Sequence, residues 1–385
     1  MTVLMIASDN NPTSGAFLSM VKLCALLKAR HGVHVLVVLP RPGNGVQLLR
    51  EAGLPYCFVR SFAWVCPMEA AGIPLQAEIL LKKALNRVAA YRLKRLLCKF
   101  HADILHINTT YSYVGALAAL QARVPLVWHL REYLEEDQGN RIWNREAGYR
   151  LIGRADRIVA IASGLYEKYR PYFAPQRLVC VLNGIDPAAF PARSGPILQG
   201  ERAALFYGGG YSDGKGYRDL LEALAARQKS GKQDFTLCLL GELTPQAEAA
   251  LDELNLRGVT QTPGYQKDVA KWLAQADIAF NCSVREAFGR KTVEAMMTGA
   301  LVIAADTGGT LDLLRDGDTG LYYRQGNAQS LADALDRALS DRAASQSIAK
   351  RGMRFARESL TAERNADTVF TLYQGLMAEK EQTNA

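Results

Sequence analysis

The chain lacks several features that would place it in other classes of protein. Its apolar runs fall short of the roughly 18 residues that a membrane-spanning helix needs. Its seven cysteines form no C-x-x-C pair, which argues against zinc sites and disulfide frameworks. No G-x-G-x-x-G motif occurs, so a nicotinamide site is not predicted. Because the cysteines are scattered and mostly within apolar runs, we expect buried thiols in a reducing cytoplasm.

The basic residues are unevenly distributed along the chain. The net charge is +8, but residues 1–185 carry 23 lysines and arginines against 12 acidic residues, whereas the remainder carries 23 against 26. A basic half indicates a negatively charged partner. We expect no nucleic-acid partner, because aromatic residues are sparse in the basic stretch and no recognition motif is present. Residues 1–8 lack a basic leader and a long apolar core, so they are interpreted as a first strand, not a signal peptide.

Short apolar runs alternate with helical patterns along both halves of the chain. In the first half, strands are predicted at 3–7, 35–39, 56–59, 104–107, 126–129 and 158–161, followed by one at 178–182. After the turn 183–187 and a linker at 192–196, the second half repeats the alternation, with strands at 204–207, 235–240, 259–262, 277–280 and 301–304. Such alternation predicts doubly wound parallel sheets, whose ligands bind at the carboxyl ends of the strands.

The stretch 281–309 contains two acidic residues, Glu286 and Glu294, separated by Phe288-Gly289 and a basic pair. We predict that a helix begins near Gly289 and ends at Gly299, before a buried strand. Since a helix turns every ~3.6 residues, Glu294 would face the same pocket as the loop that holds Glu286. The first N–H groups of that helix would offer an anion or sugar site.

This combination of Glu286-Ala287-Phe288-Gly289, Glu294-Ala295-Met296 and Gly308-Gly309 resembles the signature of retaining GT-B glycosyltransferases of family GT4. The resemblance implies two Rossmann-like domains facing across a cleft. An acceptor-binding domain would span residues 1–186 and a nucleotide-sugar-binding domain residues 187–365, with a C-terminal helix, 366–385, crossing back to the first domain.

The resemblance also implies a function and its residues. A sugar would pass from a nucleotide-diphosphate donor, such as a UDP- or GDP-sugar, to a hydroxyl of a glycan or lipid-linked acceptor, with retained configuration and no metal or other cofactor. Glu286, His129 and Lys215 would take part in catalysis, and Asn108 and Arg131 would bind the acceptor, although Arg131 pairing with nearby acids is an equal alternative. The residues expected to bind the donor are Ser14, Gly15, Gly208, Gly209, Lys215, Tyr265, Ala287, Phe288, Gly289, Arg290 and Glu294.

The sequence departs from the family pattern at one position. The family has a Gly-Arg pair before Lys-Gly, and here Lys215-Gly216 are kept while Gly209 stands in place of the arginine. Lys215 alone would then neutralise the leaving diphosphate, or Arg290 or Lys291 would substitute, or the enzyme would be slow or selective for an unusual donor. The D-x-D sequence at 316–318 is interpreted as a turn, not as a metal site.

Residues 76–100 form a basic, leucine-rich helical stretch. Such a helix can lie on anionic lipid, but because its basic and apolar residues are interleaved we slightly favour a sheet-covering helix whose charged face meets water. The protein would be cytoplasmic, with peripheral association at the inner membrane face as an option. Three alternatives to a transferase stay open: a GT-B epimerase or hydrolase, a nucleotide-sugar-binding protein without turnover, and a membrane-surface adaptor.

Overall fold

Residues 1–384 are described in a computed structural model. They divide into two compact units. The first unit comprises Met1–Gly184 and the segment that begins at Ala362, and the second unit comprises Ile185–Thr361. Each unit is built around its own parallel sheet.

The first unit alternates strands and helices. Its elements in chain order are β1 Thr2–Ile6, α1 Gly15–His31, β2 His34–Leu39, α2 Val46–Glu51, β3 Tyr56–Phe58, β4 Val65–Pro67, α3 Ile73–Lys99, β5 Ile104–Ile107, α4 Val114–Ala122, β6 Leu126–Leu130, β7 Asn140–Ile142, α5 Arg145–Ile152, β8 Arg157–Ala160, α6 Ser163–Tyr169 and β9 Leu178–Cys180.

Seven of these strands form one sheet in the order β3-β2-β1-β5-β6-β8-β9, and every neighbouring pair is parallel. Strands covered on both faces are apolar along their whole length, and all four residues of β5 are buried. The strand order reverses between β1 and β5, which places a crevice at their carboxyl ends. Strands β4 and β7 pair separately as an antiparallel ribbon that the sequence did not predict.

The second unit repeats the alternation with a smaller sheet. Its elements are β10 Ala203–Gly208, α7 Tyr217–Lys229, β11 Phe235–Leu240, α8 Pro245–Glu253, β12 Thr260–Gly264, α9 Val269–Leu273, β13 Ile278–Asn281, α10 Arg290–Thr298, β14 Leu301–Ala305, α11 Thr310–Leu313, β15 Leu321–Tyr323, α12 Ala328–Ser340 and α13 Arg342–Ser359. The parallel order is β12-β11-β10-β13-β14-β15, so the strand order reverses between β10 and β13.

The last helix, α14 Ala362–Asn384, belongs to the first unit. It packs on α1, and its residues Val369, Tyr373 and Leu376 lie in the core of that unit. The predicted strands, the parallel sheets and the helix between Gly289 and Gly299 are confirmed. In residues 1–384, no helix combines the length and apolar character needed to span a bilayer.

Two expectations from the sequence need correction. The thiols are not all buried, because Cys98 and Cys180 are exposed, although no cysteine of residues 1–384 is in a disulfide. The outer face of α3 is not mainly charged. It exposes the apolar residues Ile73, Leu80, Leu81, Leu85, Val88 and Tyr91 among its lysines and arginines.

Candidate functional site

The loop that carries Glu286 is held by close backbone contacts. Gly289 has φ +92° and precedes the first residue of α10, a conformation that favours glycine. The Gly309 N–H donates to the Glu286 carbonyl at 2.7 Å. A Cβ at Gly308 would lie 2.4 Å from the Glu286 carbonyl oxygen, and one at Gly309 2.7 Å from the Phe288 Cα. The glycines at 308 and 309 therefore let the two loops meet.

Glu294 lies one turn into α10 and is 9% exposed. Burial raises the pKa of its carboxyl, and Arg290 and then Lys291 counteract that effect. The Arg290 guanidinium lies 3.3 Å from the Glu294 Oε1. Arg290 is thus engaged with the acid that was expected to bind the donor.

The glycine loop after β10 lies on the loop after β13. The Tyr207 hydroxyl donates to the carbonyls of Gly210 and Lys215, at 3.1 and 3.0 Å. Gly216 has φ +61°, and a Cβ there would lie 2.0 Å from the Cys282 carbonyl oxygen. This contact joins the loop of Gly208, Gly209 and Lys215 to the loop that leads to Glu286.

Lys291 occupies the place where a side chain at position 209 would begin. A Cβ built on Gly209 would lie 2.9 Å from the Lys291 Nζ. Desolvation lowers the pKa of Lys291, and Lys215 lowers it further, whereas Glu294 and Glu286 raise it. The Lys291 side chain nevertheless stays accessible. The charges of Glu286, Glu294 and Lys215 therefore all act on Lys291, and the roles predicted for these three residues from the sequence stay predictions.

Three other residues predicted to bind the donor differ in their exposure. Phe288 is 2% exposed and packs in the interior, whereas Ala287 is half-buried. Tyr265 is 58% exposed at the end of β12, and its N–H donates to the Glu242 Oε1 at 3.1 Å. The Tyr265 ring is accessible, but its role toward a base stays a prediction.

In the first unit, the predicted residues His129, Arg131 and Asn108 lie at the carboxyl ends of β5 and β6 and are buried. The Arg131 Nε donates to the Asn108 Oδ1 at 2.9 Å, and its Nη1 donates to the Asn183 Oδ1 at 2.6 Å. The Asn108 Nδ2 donates to the Ala16 carbonyl at 3.1 Å. Arg131 therefore ties three segments together. The sequence had placed Asn183 only in a turn and did not predict this partnership.

Ser14 and Gly15 form the start of α1. The Ser14 hydroxyl accepts from the Phe17 N–H at 3.4 Å and donates to the Asp9 carboxylate at 3.1 Å. Ser14 is thus the N-cap of this helix. A donor contact of Ser14 and Gly15 stays a prediction.

The sequence also did not predict the contacts that link His129 to His106 and His106 to Tyr373. The His129 Nδ1 lies 2.6 Å from the His106 Nε2, and the His106 Nδ1 lies 2.5 Å from the Tyr373 hydroxyl. The only signal in the sequence was that both histidines occur in strands near their carboxyl ends. The D-x-D residues have structural partners: Arg337 lies 2.9 Å from Asp316 and Arg351 2.7 Å from Asp318.

Comparison with known proteins agrees with this architecture. The family model "Glycosyltransferase Family 4" matches residues 13–189, and "Glycosyl transferases group 1" matches residues 193–355. A D-inositol 3-phosphate glycosyltransferase from Nocardioides sp. is 29% identical over 316 residues, 72% of this chain and 68% of that protein. A phosphatidyl-myo-inositol mannosyltransferase from Propionibacterium freudenreichii is 26% identical over 259 residues, 66% and 65% of the two chains.

Solved structures share the fold. Anabaena HepE in complex with UDP matches with a TM-score of 0.80 at 21% identity, over 97% of this chain and 100% of that one. A glycosyltransferase from Rickettsia africae matches with a TM-score of 0.80 at 16% identity, over 98% of each chain. With one family model on each half, and with the paired glutamates and glycine loops inside the matched regions, the chain belongs to the group 1, family 4 glycosyltransferases of GT-B fold.

Proposed function

We propose that the protein transfers a sugar from a nucleoside-diphosphate sugar to a hydroxyl of a glycan or lipid-linked acceptor, with retained anomeric configuration. The observation that carries the proposal is the position of Lys291 in the second unit: its Nζ lies 2.9 Å from where a Cβ on Gly209 would be, and the charges of Lys215, Glu286 and Glu294 all act on it. It lies where the strand order reverses, which is the usual ligand position in such sheets. The structural relative solved with UDP supports this donor class.

Lys215 and Lys291 explain how the site could function with Gly209 in place of the family arginine. Arg290 is engaged with Glu294, whereas Lys291 directs its ammonium at the space above Gly209. An arginine at 209 and a lysine at 291 would compete for one place, so Lys291 supplies the second positive charge without it. Lys215 and Lys291 would stabilise the leaving diphosphate, together with the first N–H groups of α10.

The two acids have different proposed roles. Glu294, held by Arg290, would accept hydrogen bonds from the donor ribose. Glu286 would bind sugar hydroxyls and oppose positive charge at the anomeric carbon, while the leaving diphosphate accepts the proton of the attacking hydroxyl. We also propose, from the sequence resemblance, that His129 contacts the sugar and that Asn108 and Arg131 contact the acceptor.

Lysine ammonium groups can stabilise the negative charge of a diphosphate, as a divalent cation does. We therefore propose metal-independent transfer. Turnover would then be unchanged when EDTA is added to the enzyme. A loss of turnover in EDTA that Mg²⁺ restores would contradict this part of the proposal.

Thermal shift against UDP, GDP and their sugars identifies the donor, because a bound ligand raises the unfolding temperature. Proton NMR of the product then shows whether the anomeric configuration is retained. Donor consumed without any acceptor product would indicate the epimerase or hydrolase alternative. Binding without release of nucleoside diphosphate would indicate a binding protein.

We further propose that α3 places the enzyme on an anionic membrane surface, at the inner face. The exposed residues Leu80, Leu81 and Val88 lie on the side of α3 opposite to buried Ala89 and Leu93, given about 100° of rotation per residue. The basic residues Lys83, Arg87 and Arg92 border this apolar side, and Arg95 lies within it. Each basic residue near anionic lipid contributes ~1 kcal/mol.

Vesicle flotation tests the α3 surface. The wild type should float with vesicles that contain phosphatidylglycerol and less with pure phosphatidylcholine, and Leu80→Asp with Leu81→Asp should reduce flotation about tenfold. Leu311→Asp, at an exposed leucine of the second unit, is the matched control. Unchanged flotation of the double variant would refute the membrane surface.

A further inference from the structure

Three buried side chains of the first unit form a hydrogen-bonded row. Tyr373 on α14 contacts His106 on β5 at 2.5 Å, and His106 contacts His129 on β6 at 2.6 Å. All three residues are 0% exposed. The row connects a helix that follows the second unit in sequence with two adjacent central strands.

Neither histidine is charged near neutral pH. Burial, and then the charge of Arg131, lowers the pKa of His106 to about 3, and the same causes hold the pKa of His129 well below its usual range. The neighbouring thiol of Cys24 stays protonated, because burial raises its pKa to about 12. A neutral imidazole has one N–H and one lone pair, so the protons of the row must all point the same way.

The hydroxyl at one end decides that direction. If Tyr373 donates to the His106 Nδ1, His106 carries its proton on Nε2 and donates to the His129 Nδ1. The reverse direction would leave the buried Tyr373 O–H without an acceptor, because its hydrogen-bond partner within residues 1–384 is His106. An unpaired buried donor is costly, so the first direction is favoured.

That direction leaves His129 with its proton on Nε2. This nitrogen is buried and has no hydrogen-bond partner within residues 1–384, and His129 is the last residue but one of β6, where ligands of parallel sheets bind. We infer that Tyr373 and His106 are positioning residues that hold His129 as a neutral Nε2–H donor to an oxygen of a bound sugar. The inference rests on the proposed sugar transfer for the identity of that oxygen, and it excludes His129 as a general base.

Nitrogen NMR tests the row without any substrate. The chain has five histidines, so ¹⁵N-histidine labelling of the full chain gives a spectrum that His106→Gln and His129→Gln variants can assign. We expect both rings in the Nε2–H form, unchanged between about pH 5 and pH 8. An Nδ1–H form of either ring, or titration in that range, would overturn the inference even if sugar transfer is observed. The expected tautomers without sugar transfer would instead count against the proposed function alone.

Tyr373→Phe tests the positioning role. It removes the hydroxyl and keeps the ring, so His106 and His129 should populate both tautomers, and kcat should fall about tenfold with the KM for the donor little changed. Tyr169→Phe removes another buried tyrosine hydroxyl of the same unit and should alter neither quantity. A Tyr373→Phe variant with wild-type tautomers and wild-type kcat would refute the positioning role, and the spectrum itself reports whether the variant is folded.

Discussion

The polar groups at the carboxyl ends of the two sheets are satisfied in opposite ways. In the second unit, Lys215 is half-buried and Lys291 accessible, and their charges are balanced by nearby acids. In the first unit, Arg131, Asn108 and Asn183 are buried, and Arg131 donates hydrogen bonds to both asparagines. An accessible charged side chain can exchange its present partners for a ligand. Buried groups that already bond within the protein mainly fix the positions of the segments that carry them. Substitutions in the second unit should therefore act first on ligand binding, and those in the first unit first on stability and orientation.

The largest expected effect is on turnover. Lys215→Ala removes one of the two cations that we propose stabilise the leaving diphosphate, so kcat should fall roughly 100- to 1,000-fold, as for loss of one preorganised donor. The unfolding temperature should change little. Release of UDP or GDP from the donor measures this, with Lys229→Ala at an exposed site on α7 as the control. Wild-type turnover in Lys215→Ala would remove the basis for the comparison.

The next largest expected effect is on nucleoside-diphosphate affinity. It tests whether Lys291 takes the place of an arginine at position 209. Lys291→Ala should weaken nucleoside-diphosphate binding about 10- to 100-fold, because hydrogen bonds to charged groups contribute about 1.5–3 kcal/mol. Gly209→Arg alone should change binding little, because the Lys291 Nζ, which would lie 2.9 Å from the new Cβ, is the end of a flexible side chain that can move aside. The double variant Gly209→Arg with Lys291→Ala should recover part of the affinity in calorimetry. Equal affinity of Lys291→Ala and wild type would exclude Lys291 from the site.

In the first unit, Asn183→Ala probes the buried network. It leaves the Arg131 guanidinium without one of its acceptors, so the free energy of unfolding should fall by about 1–3 kcal/mol. Affinity for nucleoside diphosphate should stay within about twofold of wild type. Urea denaturation measures the first and calorimetry the second, with the exposed Asn44→Ala as the control. A large loss of nucleotide affinity at unchanged stability would reverse the contrast between the units.

The smallest effect is a pH dependence. The pKa of Lys291 is lowered, so its positive charge is present below that pKa and is lost as pH rises through it, earlier than for an ordinary lysine of pKa ~10.4. Nucleoside-diphosphate affinity should therefore decline several-fold on the alkaline side. Lys291→Arg should remove the decline, because a guanidinium stays protonated. If the wild type and Lys291→Arg showed the same decline in affinity, the decline would belong to another titrating group.

Much of the fold was predictable because its determinants are local. Strands buried on both faces are continuous apolar runs, and Gly289 and Gly299 mark the ends of α10 in the sequence as they do in the structure. The pairing of β4 with β7 was not predictable, because a strand of three residues is too short to show a recognisable alternation of apolar and polar residues. Nor could the sequence show which face of α3 is buried, because that depends on its packing against α4.

The candidate site was predictable only where its residues are close in sequence. Glu286 and Glu294 lie on one loop and helix, so spacing alone placed them together. Lys291 was only one of several candidates to replace the arginine, because its approach to Gly209 depends on the packing of two loops. The contact of His106 with Tyr373 joins residues 267 positions apart, and no local pattern encodes it.

The position of α14 also has a consequence for folding. The core of the first unit includes Val369 and Tyr373, which follow the entire second unit in the chain. During synthesis, the second unit is continuous and can fold as soon as it emerges, whereas the first must wait until α14 has been made before its core is closed. The imidazole of His129 thus acquires its fixed orientation only after α14 has been made, so a chain interrupted before Tyr373 would contain a folded second unit and a first unit whose His129 is not yet held.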